Sequence, residues 1–288
     1  MASTSEQQTS ARDYSAQPLP LVFEPEPPRH VATEITPGVR RIVASNPGAM
    51  TYHGTNTYLV EQERGALVID PGPDAPGHLE DLVRATSAID AIFITHHHRD
   101  HVGIAGRLRD LSGAPIVTFE SFKSNIVQPD IRLGPDEELH GLKCVHTPGH
   151  ASDHMCIRWG SILFSGDHVM AWATTSVTAP DGSMADYMLS LRILLDGHDR
   201  LFLPGHGPPL ERPRELVASL LSHRIAREAD ILDLLRSGPM TPSDITRCLY
   251  QHVDSELIGA AERVVTAHLL KLCDEGVASP IGDVWTVR

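Results

Sequence analysis

Cysteine is scarce in this 288-residue chain, and the four present, Cys144, Cys156, Cys248 and Cys273, show no CxxC pairing. A disulfide framework and a cysteine zinc site are therefore excluded, and the four read as buried apolar residues or free thiols. Long hydrophobic runs are missing too, since no apolar stretch approaches the length of a membrane span. Positive charge is short: 24 Lys and Arg stand against 37 Asp and Glu, a formal net charge of −13. That balance speaks against a broad basic surface for nucleic acid. The first twenty residues are rich in Ser, Gln, Ala and Pro and lack both the apolar core of a signal peptide and the Arg-rich face of a transit peptide. Residues 1–27 read as a disordered or loosely draped tail, and the protein as cytoplasmic. Hydrophobic content of 41% at this length predicts a full core, in one large domain and one small one.

What the chain has in quantity is histidine, 17 residues. The run Thr95-His96-His97-His98-Arg99-Asp100-His101 packs four potential metal ligands, His96, His98, Asp100 and His101, behind the apolar, β-branched segment Ala91–Ile94. Four such groups on a loop leaving a strand cost repulsion and desolvation unless a cation binds there. Three further candidates follow strand-like runs at tight turns: His150 in Thr147-Pro148-Gly149-His150, Asp167 in Phe164-Ser165-Gly166-Asp167, and His206 in Leu203-Pro204-Gly205-His206. Repeating that layout brings ligands from distant segments to one edge of a sheet.

Strand patterns at 38–44, 56–60, 65–69, 91–95, 115–119, 143–146, 155–158, 161–164 and 201–203 alternate with helical ones near 76–88, 104–111 and 184–195. This is an α/β layered domain over residues 28–210. From residue 211 to 288 the pattern becomes three helices and a hairpin, a winged-helix arrangement. Its first helix has an apolar stripe through Leu216, Leu220, Ile225, Ile231, Leu232 and Leu235, its second starts at Thr241-Pro242-Ser243-Asp244, and its third covers 257–274.

The HxHxDH segment at 96–101, followed in order by His150, Asp167 and His206, resembles the metallo-β-lactamase superfamily over residues 37–210. The resemblance implies a four-layer αββα sandwich with a metal centre along one sheet edge. It also implies that His96, His98 and His150 bind one ion, that Asp100, His101 and His206 bind a second, and that Asp167 bridges them. Two zinc ions fit the imidazole-rich set, with iron or manganese as other occupants. They would supply a hydroxide nucleophile at neutral pH, with Asp100 orienting it. Phe164-Ser165-Gly166-Asp167, Asp186-Tyr187-Met188-Leu189-Ser190-Leu191, Leu203–Pro208 and Ser222–Glu228 resemble the beta-lactamase-like-2 (endoribonuclease-like) family, which carries a C-terminal winged helix. That likeness covers roughly 37–275. Resistance enzymes of the commonest kind have Cys where Asp167 stands, so efficient β-lactam turnover is not expected.

Other residues carry weaker signals. Asp70 and Thr95 are candidates for holding ligand rings and loops in place, His154 and His168 for touching substrate, and Tyr52 and His53 for overhanging the site from the loop between early strands. His97 and His146 read as structural. Residues 211–288 contain 9 Lys and Arg and 12 Asp and Glu, the wrong balance for a groove-reading DNA module. A packing or homodimerising module that walls one side of the site fits better. The chain is therefore expected to be a metal-dependent hydrolase acting with a metal-bound hydroxide on a small ester, thioester or lactone-like molecule. Single-stranded RNA cleavage and iron-dependent persulfide-type oxidation are the alternatives.

Overall fold

The computed structural model describes residues 18–288. The chain enters through β1 (Thr33–Thr36), β2 (Val39–Val43), β3 (Asn56–Glu61) and β4 (Ala66–Ile69), then α1 (His78–Ala85) and β5 (Ile89–Phe93). A single helical turn, α2 (Arg99–Val102), and α3 (Ala105–Ser112) lead to β6 (Ile116–Phe119) and β7 (Ile131–Leu133). These seven strands form one sheet in sequence order, antiparallel from β1 to β4 and parallel from β4 to β7. The second sheet holds β8 (Glu138–Leu139), β9 (Leu142–His146), β10 (Met155–Trp159), β11 (Ile162–Gly166) and, after α4 (Met184–Asp196), β12 (Leu201–Pro204). The C-terminal part consists of α5 (Pro213–Ser237), α6 (Pro242–Leu249), α7 (Ile258–Asp274) and the hairpin β13 (Ala278–Ile281) and β14 (Val284–Val287).

Alternation along the strands builds the layers. Tyr58 and Val60, Leu67 and Ile69, and Ala91 and Phe93 face the other sheet, where they meet Cys144, Met155, Ile157, Phe164 and Leu203. Their neighbours Leu59, Val68 and Ile92 point the opposite way, under Leu79, Leu82 and Leu108 of α1 and α3. Val145, Cys156, Leu163 and Phe202 leave the second sheet on its far side to meet Tyr187, Met188 and Leu191 of α4. Both faces of each sheet are covered, so the central strands read as continuous apolar runs. This is the αββα sandwich.

Four elements escape apolar periodicity. β1 is a polar edge strand, β7 and β8 are three and two residues long, and α2 consists mostly of charged and imidazole side chains. α6 begins as its sequence dictates: the Thr241 hydroxyl accepts the Asp244 N–H at 3.1 Å, and Pro242 occupies the first turn.

The long helix corrects one expectation. Ile225 is 48% exposed and lies off the buried stripe, which instead runs Leu220, Arg224, Arg227, Ile231. Spacings of four, three and four keep those residues on one face. The stripe also divides α5 between two cores. Leu216, Val217 and Leu220 pack with α4, whereas Ile231, Leu234 and Leu235 pack with Ile245, Leu249, Val265 and Leu269. A cut between 210 and 211 thus falls ahead of a helix that belongs to both units. The expected N-terminal tail lies outside the described residues over 1–17. From residue 18 onward it is held, not free: Val22 N–H donates to Ala171 O at 2.8 Å, and Arg41 grips both oxygens of Glu24 at 2.9 Å. Among the described residues, no helix is long and apolar enough to cross a membrane.

Candidate metal centre

The loops that follow β5, β9, β11 and β12 converge at one rim of the sandwich. β3 latches the last of them. Asn56 N–H donates to Gly205 O at 2.7 Å, its amide Nδ2 donates to Pro204 O and Gly207 O at 2.9 Å each, and the Tyr58 hydroxyl donates to Pro204 O at 2.8 Å. These bonds cross from one sheet to the other and bring His206 against the residues of the first sheet. Gly205 permits the approach, because a Cβ there would lie 2.5 Å from Asp167 Oδ1 and 2.7 Å from His101 Cε1. At Gly149 the backbone adopts φ 137°, and a Cβ would meet the Tyr187 backbone at 2.3 Å.

Hydrogen bonds behind the rings fix which imidazole nitrogen is bare. Ser176 O accepts from His150 Nδ1 at 2.7 Å, so His150 presents an unprotonated Nε2 when neutral. The Thr95 hydroxyl donates to Asp70 Oδ2 at 2.8 Å and accepts from His96 Nδ1 at 3.0 Å, which leaves His96 Nε2 bare as well. Both bare nitrogens lie 3.0 Å from the same atom, His98 Nδ1. One proton on His98 serves one of them at most; a cation among the three serves all.

The second group repeats the logic with carboxylates. His101 Nδ1 donates to Asp70 Oδ2 at 2.9 Å and His206 Nδ1 to Gly54 O at 3.3 Å. The remaining Nε2 atoms face acids: His101 Nε2 is 3.4 Å from Asp167 Oδ1 and 3.7 Å from Asp100 Oδ2, and His206 Nε2 is 3.2 Å from Asp100 Oδ2 and 3.4 Å from Asp167 Oδ2. Lone pairs aimed at carboxylate oxygens demand positive charge between them. His101 Nε2 and Asp167 Oδ1 are also buried without a hydrogen-bond partner. Candidate ligand atoms within 4.8 Å of one another group as His96, His98 and His150; Asp100, His101 and His206; His96, His101 and Asp167; and, at the pocket wall, His97, His98 and Asp181. The donor set and its orphaned atoms fit two divalent cations.

Proton affinities tell the same story. Burial, then the His101 and His98 rings, hold His96 well below the ordinary imidazole range; burial, then His150, brings His98 down to about 4. Burial opposes a charge on His101 and His206 as well. Asp167 and Asp70 nevertheless raise His101 well above its usual value, and Asp167 and Asp100 raise His206 to about 9. Burial also works against the Asp100 carboxylate, which His101 and His206 bring down to about 2. One half of the site keeps neutral donors; the other recruits protons in place of cations.

Asp70 is the hub behind the ligands. Held at φ 50°, it accepts from Thr95 N–H and Thr95 Oγ1 at 2.8 Å each and from His101 at 2.9 Å. Asp70→Asn turns one of these acceptors into a donor without changing its shape. Its affinity for zinc, read by competition with a chelator, should fall about 10–100-fold. An affinity within twofold of the parent would show that the His101 ring does not depend on Asp70.

His154 and His168 do not reach the pocket. Both are fully buried: His154 Nδ1 lies 2.9 Å from Thr147 Oγ1, and the His168 ring packs 4.7 Å from that of Tyr187. Tyr52 and His53 lean on the N-terminal segment, with the Tyr52 hydroxyl donating to Glu24 O at 2.9 Å and its ring stacked 4.8 Å from Trp172. Their loop reaches the pocket through Met50 instead. His97 stands at the pocket wall, bonded to Asp153 at 2.8 Å and 3.7 Å from Asp181, while His146 stacks on Phe119. Met170, Ser176 and Asp181 line the pocket without any signal in the sequence. The cavity is about 470 Å³ and exposes His98, Asp100, His150, Asp167 and His206 on one side.

A two-sheet sandwich with His and Asp donors gathered at one rim defines a class of metal-dependent enzyme. The chain belongs to the Metallo-beta-lactamase superfamily, a superfamily that binds divalent metal ions and whose family model matches residues 50–121 and 117–206, and it is an enzyme of the hydrolase type. The Beta-lactamase associated winged helix domain matches residues 241–285. Within the superfamily, the chain is 34% identical over 268 residues to the Beta-lactamase-like protein 2 homolog of Drosophila melanogaster, covering 85% of this chain and 90% of that one. It is 30% identical over 275 residues to the Atrochrysone carboxyl ACP thioesterase of Aspergillus chevalieri, covering 86% and 85%. A crystal structure of a beta-lactamase domain protein from Burkholderia ambifaria shares the fold, with a TM-score of 0.80 and 21% identity over 93% of this chain and 97% of that one.

Proposed function

We propose that this hydrolase acts on a small ester, thioester or lactone-like substrate with two zinc ions. His96, His98 and His150 would hold one and Asp100, His101 and His206 the other, with Asp167 between them. The observation that carries the reading is the pair of bare nitrogens, His96 Nε2 and His150 Nε2, each 3.0 Å from Nδ1 of His98, with His98 and His150 lining the cavity and His96 buried behind them. Bound divalent cations lower the pKa of a water from about 15.7 to near 7 and polarise a carbonyl oxygen. Asp100 lines the cavity, and its low proton affinity keeps an ionised carboxylate where it can orient the attacking water. Two features favour a small carbonyl compound over RNA: the net charge of −13 and the relation to a protein named as a thioesterase. The four unpaired cysteines suit a reducing compartment, the cytoplasm.

The test is a panel of an acyl-glutathione thioester, a homoserine lactone, a β-lactam and a short unstructured RNA, given to zinc-loaded protein, with Asp100→Asn as blank. Thioester or lactone cleavage should dominate, and the variant should lose about 10²–10⁴-fold in rate. RNA cleavage alone, lost in the variant, would replace the small-substrate reading with the endoribonuclease one. Elemental analysis showing a single iron per chain would favour the oxidation chemistry instead.

A further inference from the structure

A second chamber of about 300 Å³ adjoins the metal pocket where the two domains meet. Met50, Met170 and Ser176 line both cavities, so the two spaces are direct neighbours. One wall comes from the sandwich, through Trp172 and the segment up to Ser176. The other comes from the C-terminal domain, through Val253, Leu257, Ala261 and Val264. Its lining contains no carboxylate, which removes a cation as the occupant. Its guanidinium, from Arg224, donates to Thr175 O and lies 5.4 Å from the centre of the Tyr187 ring; that engagement makes it part of the wall. Beside His223, Tyr250 and the hydroxyl residues Thr174, Thr175 and Ser176, the lining is apolar, with two flexible methionines at the shared boundary, which suits a hydrocarbon guest of variable shape.

We infer that this chamber receives a bulky apolar acyl group, and that the substrate cleaved at the metal pocket is the thioester or ester of such a group. The inference rests on the hydrolase reading above. The scissile carbonyl lies in the metal pocket, the acyl body extends past Met50 and Met170 into the chamber, and the leaving group stays on the open, polar side near Asp181. In the reaction, a water oxygen bonds to the acyl carbon, the carbon–sulfur bond breaks, and the thiol and the carboxylic acid share the two protons of water. The C-terminal domain thereby becomes a wall of the substrate site. Ala260 of α7 also lines the chamber.

The experiment compares acetyl and naphthylacetyl thioesters of N-acetylcysteamine on the zinc-loaded full chain. The naphthylacetyl compound should show a kcat/KM at least about tenfold higher. Ala260→Phe, which fills the chamber, should remove that preference by lowering kcat/KM for the naphthylacetyl compound at least about tenfold; Val253→Trp serves the same purpose if the first variant melts early. Naphthylacetate titrated against the protein, followed by its fluorescence, gives a readout without catalysis, and both variants should weaken its binding. If both thioesters are cleaved equally and neither variant changes anything, the chamber assignment is overturned and the hydrolase reading stands. If naphthylacetate binds and the variants weaken it while no thioester is cleaved, the apolar site stands and the hydrolase reading falls.

Discussion

Asp167→Ala should leave a folded protein that retains no more than one divalent cation per chain, with its hydrolytic rate reduced by more than the about 10–100-fold that loss of a supporting group costs. The reason is the position of this carboxylate. Its Oδ1 lies 3.4 Å from His101 Nε2, and its Oδ2 lies 3.4 Å from His206 Nε2 and 3.7 Å from His150 Nε2, so it touches both halves of the donor set. The residue is 7% exposed, and it shares the His206 Nε2 atom with one other carboxylate, Asp100, among the surrounding imidazoles. Without it, Asp100 alone would offset two dications at a largely buried site, and uncompensated buried charge is strongly unfavourable. Elemental analysis gives the stoichiometry directly. Thermal melting gives a second reading, because zinc at about 100 times its dissociation constant stabilises a folded protein by about 2.7 kcal/mol. The parent should gain that stabilisation and the variant less of it. Two retained ions with a parental rate would remove Asp167 from its place between the cations.

His150, Asp167 and His206 were legible because each follows an apolar strand at a turn marked by Gly or Pro, and His96, His98, Asp100 and His101 because they crowd into six residues behind one. The sandwich was legible for a related reason: strands covered on both faces, such as Leu67–Ile69 and Ala91–Ile94, leave unbroken apolar runs. What stayed hidden lacks a side-chain signature. Ser176 orients His150 through its carbonyl oxygen, which every residue possesses. His154 and His168 looked like substrate contacts because they lie four residues and one residue beyond candidate ligands, yet nearness in sequence does not fix the direction of a side chain, and both turn inward. Tyr52 and His53 drew attention as polar aromatics, whereas Met50 from the same loop meets the pocket. Ile225 fitted an apolar stripe by composition. The helix phase nonetheless gives the buried face to Arg224, which donates to Thr175 O, and to Arg227, which lies 4.7 Å from the centre of the Tyr250 ring, partners that only the tertiary structure supplies.

Arg224→Ala should be the most destabilising single change on the C-terminal side, and it should weaken metal binding from a distance. Arg224 is among the largest fully buried side chains of the protein. Its removal opens a cavity and strips Thr175 O of its donor, a combination that costs about 3–5 kcal/mol by analogy with large-to-small core changes. For a chain of this size the melting temperature should drop by on the order of 10 °C. The metal effect follows the chain of contacts inward. The Thr175 hydroxyl lies 2.8 Å from Asp167 O and 3.0 Å from His168 O, and the next carbonyl, Ser176 O, accepts from His150 Nδ1. Arg224 therefore holds a segment that positions two of the candidate ligands. Arg224→Lys separates the two effects, since it retains the charge and most of the volume but not the planar fork. It should melt closer to the parent and still bind zinc about tenfold more weakly, the lower end expected for a group that orients ligands indirectly. Parental zinc affinity in a folded Arg224→Lys protein would confine this arginine to packing. Reduced affinity would mean that the helix joining the two domains sets the geometry of the centre.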